Sequence, residues 1–194
     1  MSRCSAGCWF ALLVSASVWM PFGGAWAADD NAALWRGLAN GDYVALMRHA
    51  SAPGYGDPED FTLGDCATQR NLSAAGRAQA RAIGARFRAH GIDAAVVRSS
   101  QWCRCLDTAR LLDLGAVIAT PALNSFFSNR AQGAAQTETV RALLAEAGTR
   151  QPTVLVTHQV NITALSDVFP ASGEIVVLQP SATALDVVGR IAPP

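Results

Sequence analysis

Past residue 41 the chain alternates short apolar runs with longer stretches in which apolar positions recur every three to four residues. "DYVALM" (42–47), "DAAVVRSS" (93–100), "AVIAT" (116–120) and "PTVLVTH" (152–158) are short and apolar or β-branched, and read as strands. "LSAAGRAQARAIGARFRAHG" (72–91) reads as a helix, with Ser73 as N-cap, Ala75, Ala82, Ile83 and Phe87 near one face, and Gly91 as its stop. "QWCRCLDTARLLDLG" (101–115), "TETVRALLAEAG" (137–148) and "QVNITALSDVF" (159–169) read as further helices, while "FFSNRAQGAAQ" (126–136) has few apolar anchors and reads as a loop. "EIVVLQP" (174–180) and "TALDVVGRI" (183–191) close the chain as two strands of a terminal hairpin. This alternation predicts an α/β layered fold around a mostly parallel sheet.

Ligands of open α/β sheets collect at the carboxyl ends of the strands. One predicted strand ends on Arg48-His49, a second on Ser99-Ser100 with Arg104 just beyond, and a third on Thr157-His158. Three separated segments thus bring two arginines and two histidines to one rim. Guanidinium groups match phosphate oxygens bidentately, and an arginine in the first turn of a helix adds the donors of that terminus. A neutral imidazole can attack phosphorus with one ring nitrogen while a hydrogen bond holds the other. Taken singly, each of these residues has a structural alternative; Arg104, for example, could pair with Asp107.

The first residues change the setting. "MSRCSAGCWFALLVSASVWMPFGGAWAADD" carries Arg3, an uncharged apolar run and then Ala25-Trp26-Ala27, the pattern of a secretory leader cut after residue 27. The apolar run is short for a bilayer and is broken by Pro21, Gly23 and Gly24, so no membrane anchor is expected after cleavage. Residues 28–194 are expected to form a single domain in the periplasm or outside the cell, with a monomer as the default state.

Formal charge is balanced, with 15 basic and 15 acidic residues, which argues against a nucleic-acid partner. Every basic residue is an arginine, so a phosphate site must use guanidinium groups or histidine. Cys66, Cys103 and Cys105 remain after removal of the leader, and Cys66 can pair with either of the other two in an oxidising compartment. Three scattered histidines and three cysteines do not form a metal-binding pattern, and neither metal nor cofactor is expected.

"LMRHA", "QRNLSAAGRAQA", "VVRSSQWCRCLDTA" and "VTHQVNI", in that order, resemble the histidine phosphatase superfamily, the phosphoglycerate mutase-like branch 1 type. The resemblance implies a three-layer α/β sandwich and a two-step transfer in which His49 becomes phosphohistidine. It implies that Arg48 and Arg104 hold the phosphoryl oxygens and that His158 binds and neutralises the transferring group. Arg70 lies where small relatives carry an arginine, and Asn161, three residues after His158, is a candidate for a substrate hydroxyl or a strand-end backbone group. Gly76, Gln79 and Leu72 are expected to be architectural.

The chain departs from the pattern at the proton donor. Where relatives carry a carboxylic acid it has Asn124, Ser125 and Gln159. The remaining candidates are Asp57, Glu59 and Asp60 in the loop after His49, and Asp65 beside Cys66; Asp65 is taken forward as the candidate general acid. A phosphate- or phosphosugar-binding module that has lost its acid is the alternative to an enzyme. Phe126 and Phe127 are candidates for a wall against a sugar or acyl group. With the leader, "GDCATQRNLS" and "WCRCLDTA" look most like exported lipopolysaccharide core heptose-phosphate phosphatases, which implies a small-molecule phosphomonoester or an envelope glycan phosphate as substrate.

Overall fold

A computed structural model describes residues 1, 31–146, 151–181 and 185–194. The leader expected over residues 1–27 lies outside them apart from Met1. No helix among the described residues is long and apolar enough to cross a membrane.

Six strands form one sheet: β1 (Val44–Arg48), β2 (Val96–Ser99), β3 (Val117–Ala119), β4 (Thr153–Thr157), β5 (Ile175–Pro180) and β6 (Leu185–Ile191). Their spatial order is β3-β2-β4-β1-β5-β6. The first four are mutually parallel; β5 runs antiparallel to β1, and β6 antiparallel to β5 as the terminal hairpin. Among the described residues five α-helices cover the sheet: α1 (Ala32–Asn40), α2 (Ala74–Ala89), α3 (Cys103–Leu112), α4 (Gly133–Glu146) and α5 (Gln159–Ser166).

The period of two along each central strand divides the core. Ala45 and Met47 of β1, with Val154 and Val156 of β4, pack under Trp35, Ile83, Phe87 and Leu112 from α1, α2 and α3. Val44, Leu46 and Leu155 face the other way, onto Val140, Leu144, Ile162 and Leu165 from α4 and α5. The result is the expected three-layer α/β sandwich. Because β1 is covered on both faces, its residues are apolar without alternation, and polarity begins only where it leaves the sheet.

Helix boundaries differ from expectation in three places. No element was expected before β1, yet α1 buries Trp35 and Leu38. The helix expected at 137–148 begins at Gly133, four residues into the expected loop; Gly133 lies under the Phe126 ring and its carbonyl accepts from Thr137 Oγ1 at 2.7 Å. α5 stops at Ser166 rather than at 169, because Asp167 takes a left-handed conformation with φ 56°. Ser73 does cap α2, accepting from the Gly76 N–H at 2.9 Å.

Candidate active site

The strand register builds the site. Arg48 of β1 pairs with Thr157 of β4, and the His49 N–H donates to the Thr157 carbonyl at 3.0 Å, so His49 and His158 leave the sheet side by side. Their ring centroids are 5.6 Å apart, edge to face. β2 flanks β4 on the other side, where the Ser100 N–H donates to the Val156 carbonyl at 2.9 Å and the chain turns into α3.

His49 Nδ1 lies 2.8 Å from the Ala50 carbonyl, which can only accept. Nδ1 therefore carries the proton and Nε2 keeps its lone pair. Ala50 is itself held, its N–H donating to Thr108 Oγ1 at 3.0 Å. Ser51 N–H donates to Gln79 Oε1, and Gln79 Nε2 donates to the Ser172 carbonyl. The ring is 2% exposed, and burial, then the Arg104 charge, lowers its pKa to about 3, so the imidazole is neutral at ordinary pH.

His158 has the opposite tautomer. Its Nδ1 faces Arg104 Nη2 at 3.4 Å and must accept, leaving Nε2–H to donate to Ser100 Oγ at 2.8 Å. Ser100 Oγ donates in turn to Asn124 Oδ1 at 3.2 Å, which also accepts from the Gln101 N–H. Burial first, then His49 and the surrounding arginines, holds His158 well below the ordinary histidine pKa.

Three guanidinium groups surround the two rings. Arg48, His49, Arg70, Arg104 and His158 line one pocket with Gly54, Tyr55, Gly56 and Asp57 from the loop after β1, and Ser125 and Phe127 from the opposite side. Arg48 is steered by the Pro170 carbonyl at 2.9 Å; Arg70 is fastened to the carbonyls of Gly56 and Ala52. Burial, then the neighbouring Arg104 charge, lowers the pKa of both Arg48 and Arg70. Such crowding of like charge is relieved by an anion.

Among the described residues one carboxylate lines this pocket, and it is Asp57 rather than the expected Asp65. Asp57 binds Arg104 through both oxygens, at 2.5 and 3.1 Å, and accepts from Trp102 Nε1 at 3.0 Å. Burial pushes its pKa up, but the Arg104 hydrogen bonds and charge outweigh this and hold it low. Asp65 stands elsewhere: exposed, and outside the pocket, it caps the 3-10 turn Cys66–Thr68 by accepting from the Ala67 N–H at 3.0 Å. Its short side chain is committed to that turn, so Asp65 is corrected to a capping residue. Asn161 also lies away from the lining; it is buried and donates at 2.9 Å to the carbonyl of Asn124, which lies beyond the 3-10 turn after β3 and not at a strand end. Phe126 is buried in packing, whereas Phe127 reaches the mouth. Tyr55 was not expected at the site, and only its flanking glycines hinted at a shaped loop.

Cys66 and Cys103 form a disulfide, and Cys105 is free and buried. Burial pushes the Cys105 thiol up to about 12. The disulfide ties the loop after β1 to the first residue of α3, next to Arg104. Asp107 pairs with Arg110, not with Arg104.

The family model described as histidine phosphatase superfamily (branch 1) matches residues 44–143, just over half of the chain. The chain belongs to the histidine phosphatase superfamily, branch 1. As a histidine phosphatase it is a phosphoric monoester hydrolase. The match ends before β4, and the sheet register carries His158 to the same rim. Among solved structures, the fold is similar to that of the protein histidine phosphatase SixA complexed with tungstate: 16% identity, 77% of this chain, 96% of that one, TM-score 0.55. An open reading frame product of Mycobacterium tuberculosis is similar at 17% identity, with 78% and 97% covered and TM-score 0.58. Phosphoserine phosphatase from Entamoeba histolytica, a mutant in complex with phosphoserine, is similar at 12% identity, with 76% and 95% covered and TM-score 0.55. No curated protein matches the chain.

Proposed function

We propose that this histidine phosphatase is exported and hydrolyses a phosphomonoester, an envelope sugar phosphate being the favoured substrate, through phosphohistidine on His49. The observation that carries the mechanism is the Nδ1 hydrogen bond of His49, which leaves Nε2 unprotonated beside three arginines.

Substrate phosphate displaces Asp57 from Arg104 and is held by Arg48, Arg70 and Arg104. Its negative charge favours the protonated form of His158, whose Nδ1 then changes from acceptor to donor toward a phosphoryl oxygen. It also reverses the environment of Asp57: parted from its guanidinium partner and set beside a dianion, the carboxyl holds a proton more readily. Binding thus creates the acid that the free enzyme lacks. His49 Nε2 attacks phosphorus, the P–O bond to the leaving group breaks, and its electron pair takes the Asp57 proton. Water then attacks the phosphohistidine, giving its proton to Asp57 and returning the N–P electron pair to Nε2. A carboxylate within the pocket removes the main ground for a binding module without an acid.

Export is supported by the leader pattern of residues 1–27 and by the Cys66–Cys103 disulfide, which suits an oxidising compartment. The resemblance of "GDCATQRNLS" and "WCRCLDTA" to lipopolysaccharide core heptose-phosphate phosphatases supports the envelope sugar. The test mixes the purified protein with phosphomonoesters, quenches in base and measures acid-labile phosphate on His49. The parent should trap phosphate and His49→Ala should not; turnover that persists in His49→Ala would reject the mechanism. Recovery of unprocessed chain in the cytoplasm would reject export.

A further inference from the structure

Tyr55 is the most exposed aromatic ring among the described residues, at 86%, yet it stands at the mouth of the phosphate pocket. A ring so exposed contributes little to folding. It is nonetheless held in place. Gly54 and Gly56 on either side have φ of 97° and 65°, a conformation that other residues rarely adopt, and they shape the turn that carries Tyr55. The Gly56 carbonyl accepts from Arg70 Nε at 2.7 Å, which couples the position of Tyr55 to a phosphate-facing guanidinium.

Phe127 meets the Tyr55 ring edge to face, with ring centroids 5.1 Å apart and the planes nearly perpendicular. Arg130 lies over the Phe127 ring at 5.0 Å, and Phe127 N–H donates to Ser125 Oγ at 3.2 Å, so this wall is braced from behind. Two rings from separate loops thus touch each other and form one aromatic wall at the mouth, beside the position of a phosphate held at Arg104.

We infer that Tyr55 and Phe127 form a leaving-group subsite for a six-membered ring that presents a CH or π face. This inference rests on the phosphate-site reading above and adds a specificity to it. An acyclic alcohol offers no face to such rings, whereas a pyranose or an aryl group does.

Binding tests this more directly than rates, because leaving groups differ in intrinsic reactivity. In full-length His49→Ala protein, dissociation constants are measured for mannose 6-phosphate, phenyl phosphate and glycerol 3-phosphate, each relative to inorganic phosphate. The ring compounds should bind more tightly than glycerol 3-phosphate. Adding Tyr55→Ala or Phe127→Ala should reduce that preference about threefold to tenfold, the range for one aromatic contact, and Tyr55→Phe should retain it. A sugar-only preference would assign the subsite to pyranoses, and an aryl-only preference to aromatic alcohols. Equal affinity for ring and acyclic compounds, or a preference untouched by Tyr55→Ala, would overturn the subsite while leaving the phosphatase intact. Tyr55-dependent ring binding in a parent that turns nothing over would uphold the subsite and reject the enzyme; no binding of any phosphate compound would reject both.

Discussion

Asp57 holds Arg104 through both carboxylate oxygens, from 47 residues away in sequence. Arg104 is 3% exposed, so the pair fills the anion position with an internal carboxylate. This gives Asp57 two opposed effects: it competes with phosphate in the free enzyme, and it supplies the proton once displaced. Asp57→Asn should therefore bind inorganic phosphate more tightly while lowering kcat on an alkyl phosphate by about 10²–10⁴-fold. The loss should be smaller on p-nitrophenyl phosphate, whose leaving group needs less protonation in the first step. Inhibition constants for phosphate and kcat on both esters check this, and weaker phosphate binding with an unchanged kcat would remove Asp57 from both roles.

The Cys66–Cys103 bridge closes a separation of 37 residues and anchors the loop that carries Asp57 and Arg70. Reduction, or Cys66→Ser, should lower stability by ~2–4 kcal/mol. It should also raise the KM for phosphomonoesters, since Cys103 immediately precedes Arg104. Thermal melts and kinetics with and without reductant measure both effects; an unchanged Tm would show that packing of Phe61 on Trp102, whose rings stack at 4.9 Å, holds the loop alone.

Acid should destabilise the fold before the carboxylates titrate. His49 has its folded pKa depressed from 6.5 to about 3, and His158 is shifted the same way, so the unfolded chain binds protons that the folded chain refuses. The stability these neutral rings permit is complete above pH 6.5 and is lost progressively as pH falls from there toward 3. Asp57, also depressed, adds to the loss at the lower end of that window. Denaturant melts from pH 7.5 to 4 should show this slope, and His49→Ala should flatten it; a flat profile in the parent would mean that the rings are not buried as neutral groups.

Gly76 permits the closest approach between a helix and the catalytic loop. A Cβ there would lie 2.0 Å from the Ser51 carbonyl oxygen, a backbone atom with no freedom to yield. The same oxygen accepts from the Ser73 N–H at 3.2 Å, so the start of α2 clasps the residues just after His49. Gly76→Ala should cost about 1–3 kcal/mol and reduce kcat by displacing His49. Wild-type stability and turnover in that variant would contradict the packing described.

The parts of the site that end a strand were legible in the sequence because a buried strand has to be apolar until it leaves the sheet. Arg48, His49 and His158 mark those exits, and Arg104 follows one turn after another. The loop after β1 was not legible in the same way. Its four carboxylates look alike in sequence, and the choice among them is made by a guanidinium on a distant helix, so nothing in the sequence sets Asp57, which sits in the pocket, apart from Asp65. The cysteine pairing was open between two partners for a similar reason: it depends on which face of α3 the loop crosses. α1 carries no clear signal in the sequence, because its nine residues bury only Trp35, Gly37 and Leu38, too few for a clear period.

Both borders of the sheet are poor templates for a neighbouring chain. β3 has only three residues, and β6 places Asp186 and Arg190 along its outward run and meets β5 through an irregular register at Val177 and Leu178. A second molecule seeking to extend the sheet would find one border too brief and the other charged and twisted. Edges of this kind disfavour strand-by-strand addition of further copies.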